Sequence, residues 1–331
     1  MTNTIVTLES RPTGAIQESN FGMKTEEIRE LNDGEFLVAI EALSMDPAIR
    51  GWMNAGTTYI KGIELGTVMR SFSAGKVIQS KNDAFKVGDY VEGMLGAQSH
   101  AISDGSGMRI IDVSKSKLTH HLGVLGMPGM TAYFGLLRRG EPKAGDVIYI
   151  SAASGVVGST VGQIAKIKGC TVIGSAGSDA KCKFLIDECG FDYTINYKTE
   201  NLDAKLKEYA PNGIHIFYDN VGGDTLNTAL ANLAQGARVV ICGAISQYND
   251  MANIQGPANY MKIVTARGYM TGIIVFDFVK EWPAAANEIA GWIADGKINV
   301  KEHIVESLEN YFSTLQMLYT GENFGKLILT V

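Results

Sequence analysis

A chain of 331 residues exceeds one small core and suits about two domains. Its 46% hydrophobic and 19% charged residues exclude a disordered chain, and 38 glycines against 7 prolines point to tight turns rather than low-complexity linkers. A net charge of −6 offers no attraction to nucleic acid or to an anionic membrane, so neither is an expected partner.

The opening Met1-Thr2-Asn3-Thr4-Ile5 has no basic start and no apolar signal core. Cys170, Cys182, Cys189 and Cys242 form no C-x-x-C pair and frame no small loops. Both features lead to the expectation of a cytoplasmic chain with reduced thiols. Up to about residue 125 the pattern is β-rich. Residues 35–43 mix apolar and charged positions as a strand does, and 75–78 and 89–93 read as short strands beside glycine turns. Their short, irregular spacing suits a small barrel.

The character changes from about residue 126. Val147–Ile150 is a continuous apolar run, as expected for a strand buried on both faces. Further strands are expected at 171–174, 193–196, 214–218 and 238–241, with helices at 155–168 and 179–188. The starts recur at intervals of roughly twenty residues, the rhythm of βα units and a doubly wound parallel sheet. Residues 147–165 carry no charge, but Ser, Gly, Thr and Gln crowd them too much for a membrane span. In the tail from about 299, residues 306–319 have helical periodicity and 326–329 read as a last strand.

The strongest local signal follows the first buried strand. Ala153-Ser154-Gly155-Val156-Val157-Gly158 is an A-x-G-x-x-G turn that opens a helix. Gly155 lets a pyrophosphate approach the backbone, and Gly158, with Gly162 a turn later, lets the helix pack on the sheet. A site preferring NAD usually carries a carboxylate ~20 residues on. Here that stretch is Gly174-Ser175-Ala176-Gly177, and Lys181 follows in the next helix. Tyr197-Lys198, after the third strand, can close the same pocket. The pattern favours NADP, although Lys181 also reads as a solvated helix lysine. Asp179 reads as a helix N-terminal residue. Asn220 after the fourth strand and Cys242-Gly243-Ala244 after the fifth lie where parallel sheets bind ligands. Asn220 reads equally well as a turn before Gly222-Gly223.

Metal chemistry finds no support. None of His100, His120, His121, His215 and His303 pairs with Cys or Glu at ligand spacing, so no zinc is expected. There is no G-x-S-x-G elbow and no G-x-x-x-x-G-K-[ST] loop, which removes the usual signatures of hydrolases and NTPases.

Several segments, taken in order, carry a family resemblance. They are Met45-Asp46-Pro47 with Arg50-Gly51, residues 152–166, Gly177-Ser178-Asp179-Ala180-Lys181, Asn196-Tyr197-Lys198, and Asp219-Asn220-Val221-Gly222-Gly223. Residues 242–249 and Asn323-Phe324-Gly325-Lys326 complete the series. The chain resembles the zinc-independent branch of the medium-chain dehydrogenase/reductases. Within it the nearest match is to the NADP-dependent enone reductases, which act on prostaglandins, alkenals or curcumin. The resemblance implies a GroES-like catalytic domain over 1–125, completed by 299–331, with a Rossmann domain over 126–298. It also implies a homodimer and an active site in the cleft between domains. It gives Gly155, Val156, Val157 and Gly158 to the pyrophosphate, and Lys181 and Tyr197 to the 2′-phosphate. Asn220, Cys242, Gly243, Ala244, Ile245, Ser246, Tyr248, Ile273, Ile274, Val275 and Asn323 would line the ribose and nicotinamide. The sequence departs from many relatives at Ala48, where they carry an aromatic, and matches only loosely over 55–66.

The expected reaction is hydride transfer from NADPH to the β-carbon of an α,β-unsaturated ketone or aldehyde. Without zinc, a tyrosine O–H suits the task of stabilising the enolate. Tyr59, in the Gly56-Thr57-Thr58-Tyr59 loop, and Tyr248 are the candidates, with Tyr260 behind them. Tyr59 also reads as a surface aromatic, and Tyr248 as a cofactor contact. Two other functions fit the same site, a zinc-free NADPH quinone reductase and a non-catalytic NADPH-binding protein.

Overall fold

The computed structural model describes residues 1–331, except the side chains of Met251 and Ala252. The chain forms two compact units, Met1–Gly123 with Glu302–Val331, and Val124–Lys301.

The first unit begins with a two-stranded antiparallel ribbon of β1 (Thr2–Leu8) and β2 (Phe21–Glu27). β3 (Phe36–Ser44) is the spine of the main sheet. It pairs with β4 (Ser73–Ser80), which pairs with β5 (Tyr90–Gly93). β6 (His100–Ser103) also pairs with β3, and β7 (Arg109–Ile111) closes on β5. Phe36, Leu37, Val38, Ile40 and Leu43 of β3 are all buried. A strand with neighbours along both sides and cover on both faces has no solvent side, which explains why its apolar residues do not alternate.

The second unit is a six-stranded sheet, parallel throughout. Its strands are β8 (Val147–Ile150), β9 (Thr171–Ala176), β10 (Tyr193–Asn196), β11 (Ile214–Asp219), β12 (Leu233–Ile241) and β13 (Tyr269–Gly272). Their order is β10-β9-β8-β11-β12-β13. The winding reverses between β8 and β11, so the connections that leave the carboxyl ends of those strands run to opposite faces of the sheet and leave a crevice. Ile148, Tyr149, Ile150, Val172, Ile173, Ile216, Phe217, Val239 and Val240 are fully buried, as a sheet covered by helices on both faces requires. This is the doubly wound sheet that the spacing of the apolar runs predicts.

The chain then returns to the first unit. β14 (Glu302–Glu306) lies parallel to β15 (Lys326–Thr330), and β15 lies antiparallel to β3. Six strands escape the sequence pattern, β1, β2, β6, β7, β13 and β14. β7, β13 and β14 sit at sheet edges and β1 and β2 form a two-stranded ribbon, where one neighbour and partial exposure suffice and no apolar run is needed. The helix expected over 306–319 is shorter. Ser307 takes φ +72°, a short turn follows at Leu308–Asn310, and the helix proper is Tyr311–Thr320. Left-handed backbone at Ser307 breaks the helical run that the apolar spacing suggested.

The returning strand is locked by a buried ion pair. Lys326 is 1% exposed, and its Nζ donates to Asp46 Oδ1 and to Met45 O, each at 2.9 Å. Ser44 Oγ donates to the other carboxylate oxygen. Burial holds the Lys326 ammonium below its ordinary pKa, and the Asp46 carboxylate opposes that shift. Removing one partner leaves the other charge stranded. Lys326→Met is therefore expected to cost about 3–5 kcal/mol in denaturant unfolding. The double variant with Asp46→Asn should recover much of that loss.

Candidate functional site

The turn after β8 is shaped by its backbone. Ala152 takes φ +48° and so swings the chain sharply away from the strand. Gly155 is the N-cap of the helix Val156–Ile167, and no side chain caps that terminus. The first N–H groups of a helix have no intrahelical acceptor, so they and the positive dipole end are available to an anion. A Cβ on Gly155 would meet only Ala152 O, at 3.5 Å, so its outward side is open. A Cβ on Gly158 would lie 2.7 Å from both Ala152 O and Ala153 Cα. Only glycine allows the first helical turn to sit this close to the strand end.

The crevice is braced by hydrogen bonds between strand ends. Ser151 Oγ donates to Asp219 Oδ1 at 3.0 Å. Asn220 donates its backbone N–H to Ser151 Oγ at 2.9 Å and its side-chain Nδ2–H to Ser151 O at 2.8 Å. These bonds tie the end of β8 to the end of β11 across the switch point. Asp219 Oδ1 also accepts from the N–H groups of Val221 and Gly222, at 2.9 and 3.0 Å. Burial raises the Asp219 pKa, and those donors pull against it. The Asn220 side chain thus serves the turn through its amide N–H. Ser151 and Asp219, the centre of this clamp, were not singled out as site residues in the sequence. Their signal was the presence of polar residues at the ends of two buried strands.

The segment after β12 rests on this clamp. The N–H groups of Cys242 and Gly243 donate to Asp219 O, and those of Ile245 and Ser246 donate to Asn220 O and Val221 O. Ser246 Oγ reaches Val221 O at 2.6 Å. Tyr248 Oη accepts the N–H of Ala244 at 3.3 Å, which folds the phenol back on its own loop. Burial pushes the Cys242 thiol up to about 12, so it stays neutral. After β13, Ile273 N–H continues the pairing to Ile241 O. Ile273 and Val275 are buried, whereas Ile274 is 38% exposed. The ends of β8, β11, β12 and β13 therefore bring 151–158, Asn220, 242–248 and 273–275 together at one edge of the sheet.

A basic corner lies at the ends of β9 and β10. β9 closes on Gly174, Ser175 and Ala176, with no carboxylate. Ser178 caps the helix Asp179–Asp187 by accepting the Lys181 N–H. Asp179 Oδ1 accepts from Asn196 Nδ2 at 2.6 Å, so it secures β10. A Cβ on Gly177 would lie 2.9 Å from Tyr197 Oη and 3.3 Å from Lys198 Cε. Phenol and lysine stem thus close over the bare glycine. The Lys181 ammonium is held below its ordinary pKa, first by burial and then by the Lys198 charge. Two cations close enough to repel each other match an anion with more than one negative charge. The open glycine turn, the uncapped helix end and this basic corner together fit a dinucleotide with an added ribose phosphate.

Tyr59 and Asn323 belong to the first unit. Asn323 Nδ2 donates to Gly325 O at 3.3 Å. Tyr59 follows the short helix Ala48–Trp52, and its Oη accepts the indole N–H of Trp52 at 2.8 Å. Tyr59 is 49% exposed, as a surface aromatic would be, and its partial burial raises the phenol pKa, opposed by the Trp52 bond and the nearby Arg70 charge. Tyr260, in the turn Ala258–Met261, is 58% exposed. Among the described residues no group of three His, Cys, Asp or Glu is placed to hold a metal ion. Burial lowers His121 to about 4, and His215 Nδ1 accepts the Val147 N–H at 3.1 Å. Among the described residues no helix is long and apolar enough to cross a membrane.

Comparison with known proteins places this geometry. Residues 5–111 match the family model described as the N-terminal domain of oxidoreductase, and residues 156–291 match that of zinc-binding dehydrogenase. The chain is 40% identical to prostaglandin reductase 1 of Mus musculus, over 98% of this chain and 97% of that protein. It is 35% identical to the NADPH-dependent curcumin reductase of Escherichia coli (strain K12), over 98% and 95% of the two chains. Among solved structures, CurA of Vibrio vulnificus in complex with NADPH superposes with a TM-score of 0.94 at 39% identity, covering 99% of each chain.

Proposed function

We infer, for a chain that belongs to the NADP-dependent prostaglandin and curcumin reductase family of medium-chain dehydrogenase/reductases, that it reduces the C=C bond of α,β-unsaturated ketones and aldehydes with NADPH. The observation that carries the cofactor choice is the corner of Lys181, Tyr197 and Lys198 around Gly177. Lys181 and Tyr197 hold the 2′-phosphate there. Gly155, Val156, Val157 and Gly158 hold the pyrophosphate on the uncapped helix end. Asn220, the 242–248 loop and 273–275 line the ribose and nicotinamide.

Bound NADPH supplies a hydride from its nicotinamide C4. The rest is the work of the chain. The strand-end clamp of Ser151, Asp219 and Asn220 fixes the cofactor's floor, so that orientation costs little during reaction. Attack at the β-carbon moves electrons to the carbonyl oxygen, and a hydrogen-bond donor there lowers the barrier. Tyr59 donates its O–H to that oxygen. The resulting enolate takes a proton at its α-carbon from a phenol or a water. Tyr248, bonded to the Ala244 N–H, shapes the cofactor loop. No step proposed here calls for zinc.

The four cysteines are free thiols, which supports a reducing compartment, the cytoplasm. A homodimer is supported by β13. Among the described residues it pairs with β12 alone, and it carries Tyr269 and Met270 exposed at 43% and 42% on an edge that invites a second strand. Sedimentation should give twice the chain mass, and Met270→Lys should shift the equilibrium toward monomer.

The function is tested by NADPH oxidation with a panel of enals, enones and quinones, with NADH in parallel. Turnover of enones with NADPH is expected. Oxidation with quinones alone would move the assignment to quinone reduction. Tight NADPH binding without turnover would make the chain a binding protein.

A further inference from the structure

A phenol beside an indole can be arranged in only one way. The indole N–H is a donor and has no acceptor lone pair in the ring plane. With Trp52 Nε1 2.8 Å from Tyr59 Oη, the indole occupies a lone pair of the phenol oxygen. The phenol's own proton is then directed away from Trp52, toward some other acceptor. Trp52 is 3% exposed and held in the core with Ile49, Met53 and Ile63, so its N–H is a fixed reference for that orientation.

A second group acts on the same pair. The Arg70 guanidinium lies over the Trp52 ring, 5.7 Å from its centroid. Its Nη1 is anchored on Lys61 O at 2.9 Å. A cation over the π-face withdraws electron density from the indole and makes its N–H a stronger donor. The same positive charge favours negative charge on the Tyr59 oxygen. Asp46 opposes that effect, but its carboxylate is already shared between Lys326 and Ser44.

We propose that Trp52 and Arg70 are positioning residues for Tyr59, the indole N–H and its stacked guanidinium together committing the phenol to donate its proton to the substrate carbonyl. The proposal rests on the reading of Tyr59 as that donor. As negative charge grows on the carbonyl oxygen, the Tyr59 O–H bond lengthens and its oxygen becomes more negative. The Trp52 N–H bond then strengthens at the moment of reaction rather than before it. Both residues should therefore act on kcat more than on KM.

The test is a double-mutant cycle on the full-length enzyme, with saturating NADPH and an acyclic enone. Trp52→Phe keeps an aromatic ring in the core but removes the N–H together with one ring of the indole, so the cycle with Tyr59→Phe separates the lost hydrogen bond from the lost packing. It is expected to lower kcat about tenfold, the worth of one hydrogen bond to a developing charge, with KM for NADPH unchanged. In a Tyr59→Phe background the same change should alter kcat by no more than about twofold. Arg70→Gln, at a partly exposed position, serves as the variant that does not disturb the core. It is expected to lower kcat about threefold, again only when Tyr59 is present, and Arg70→Lys should retain most of the rate. Equal losses with and without the Tyr59 hydroxyl would overturn the proposal and leave Tyr59 standing, since a structural effect ignores that hydroxyl. An unchanged rate in Trp52→Phe would overturn it as well. A Tyr59→Phe enzyme with full activity would remove the reading of Tyr59 itself, and the proposal with it.

Discussion

Tyr59→Phe is expected to lower enone turnover about 100- to 1000-fold, the usual loss when a donor to a developing oxyanion is removed. KM for NADPH should stay where it is, because Tyr59 lies in the loop after Ala48–Trp52 and has no part in the glycine turn. Tyr248→Phe should behave differently. Its hydroxyl is bonded to the Ala244 N–H, within a loop that rests on Asp219, Asn220 and Val221. Losing it loosens that loop, so KM for NADPH should rise a few-fold and kcat should fall less. Steady-state kinetics on the two variants separates these patterns. The opposite ranking would make Tyr248 the donor.

The second large effect is expected at Lys181. Lys181→Ala removes one of two neighbouring cations in the basic corner. A hydrogen bond between charged groups is worth about 1.5–3 kcal/mol. KM for NADPH should therefore rise roughly 10- to 150-fold, while the slow rate with NADH changes little. Lys198→Ala should give a smaller loss of the same kind, since its stem closes over Gly177 beside Tyr197. Equal damage to both cofactors would mean that Lys181 supports the turn rather than a phosphate.

Much of the second unit is legible in the chain. Val147–Ile150 and Ile214–Asp219 are buried on both faces, so their apolar runs are continuous and easily read. The glycine turn is legible for a related reason. At Gly158 a side chain would collide with the backbone of the preceding turn, so the constraint is written as an absent Cβ. The basic corner is read partly from what is missing, a carboxylate at the end of β9. The edges are harder. β13 has one partner strand and an exposed surface, so Tyr269-Met270-Thr271-Gly272 satisfies no burial pattern.

The bracing of the site is harder still. Ser151, Asp219 and Asn220 meet because β8 and β11 are neighbours in the sheet, although they are 68 or 69 residues apart in the chain. Trp52, Tyr59 and Arg70 are close in sequence, yet their contact depends on the loop between the short helix and β4. Spacing carries no signal for a donor-only indole beside a phenol. Asn323 and 273–275 were reached through family resemblance, and nothing local to those residues announces a ligand.

Hydride delivery to the β-carbon of an enone, rather than to a carbonyl carbon or a quinone, is the step on which the proposed function stands. The most direct measurement uses NADPH deuterated at the transferable C4 position with an acyclic enone, and locates the label in the product by NMR. The expected product is a saturated ketone with deuterium on the β-carbon and none on the carbonyl carbon. Deuterium on the carbinol carbon of an allylic alcohol would contradict it, because the chain would then be a carbonyl reductase.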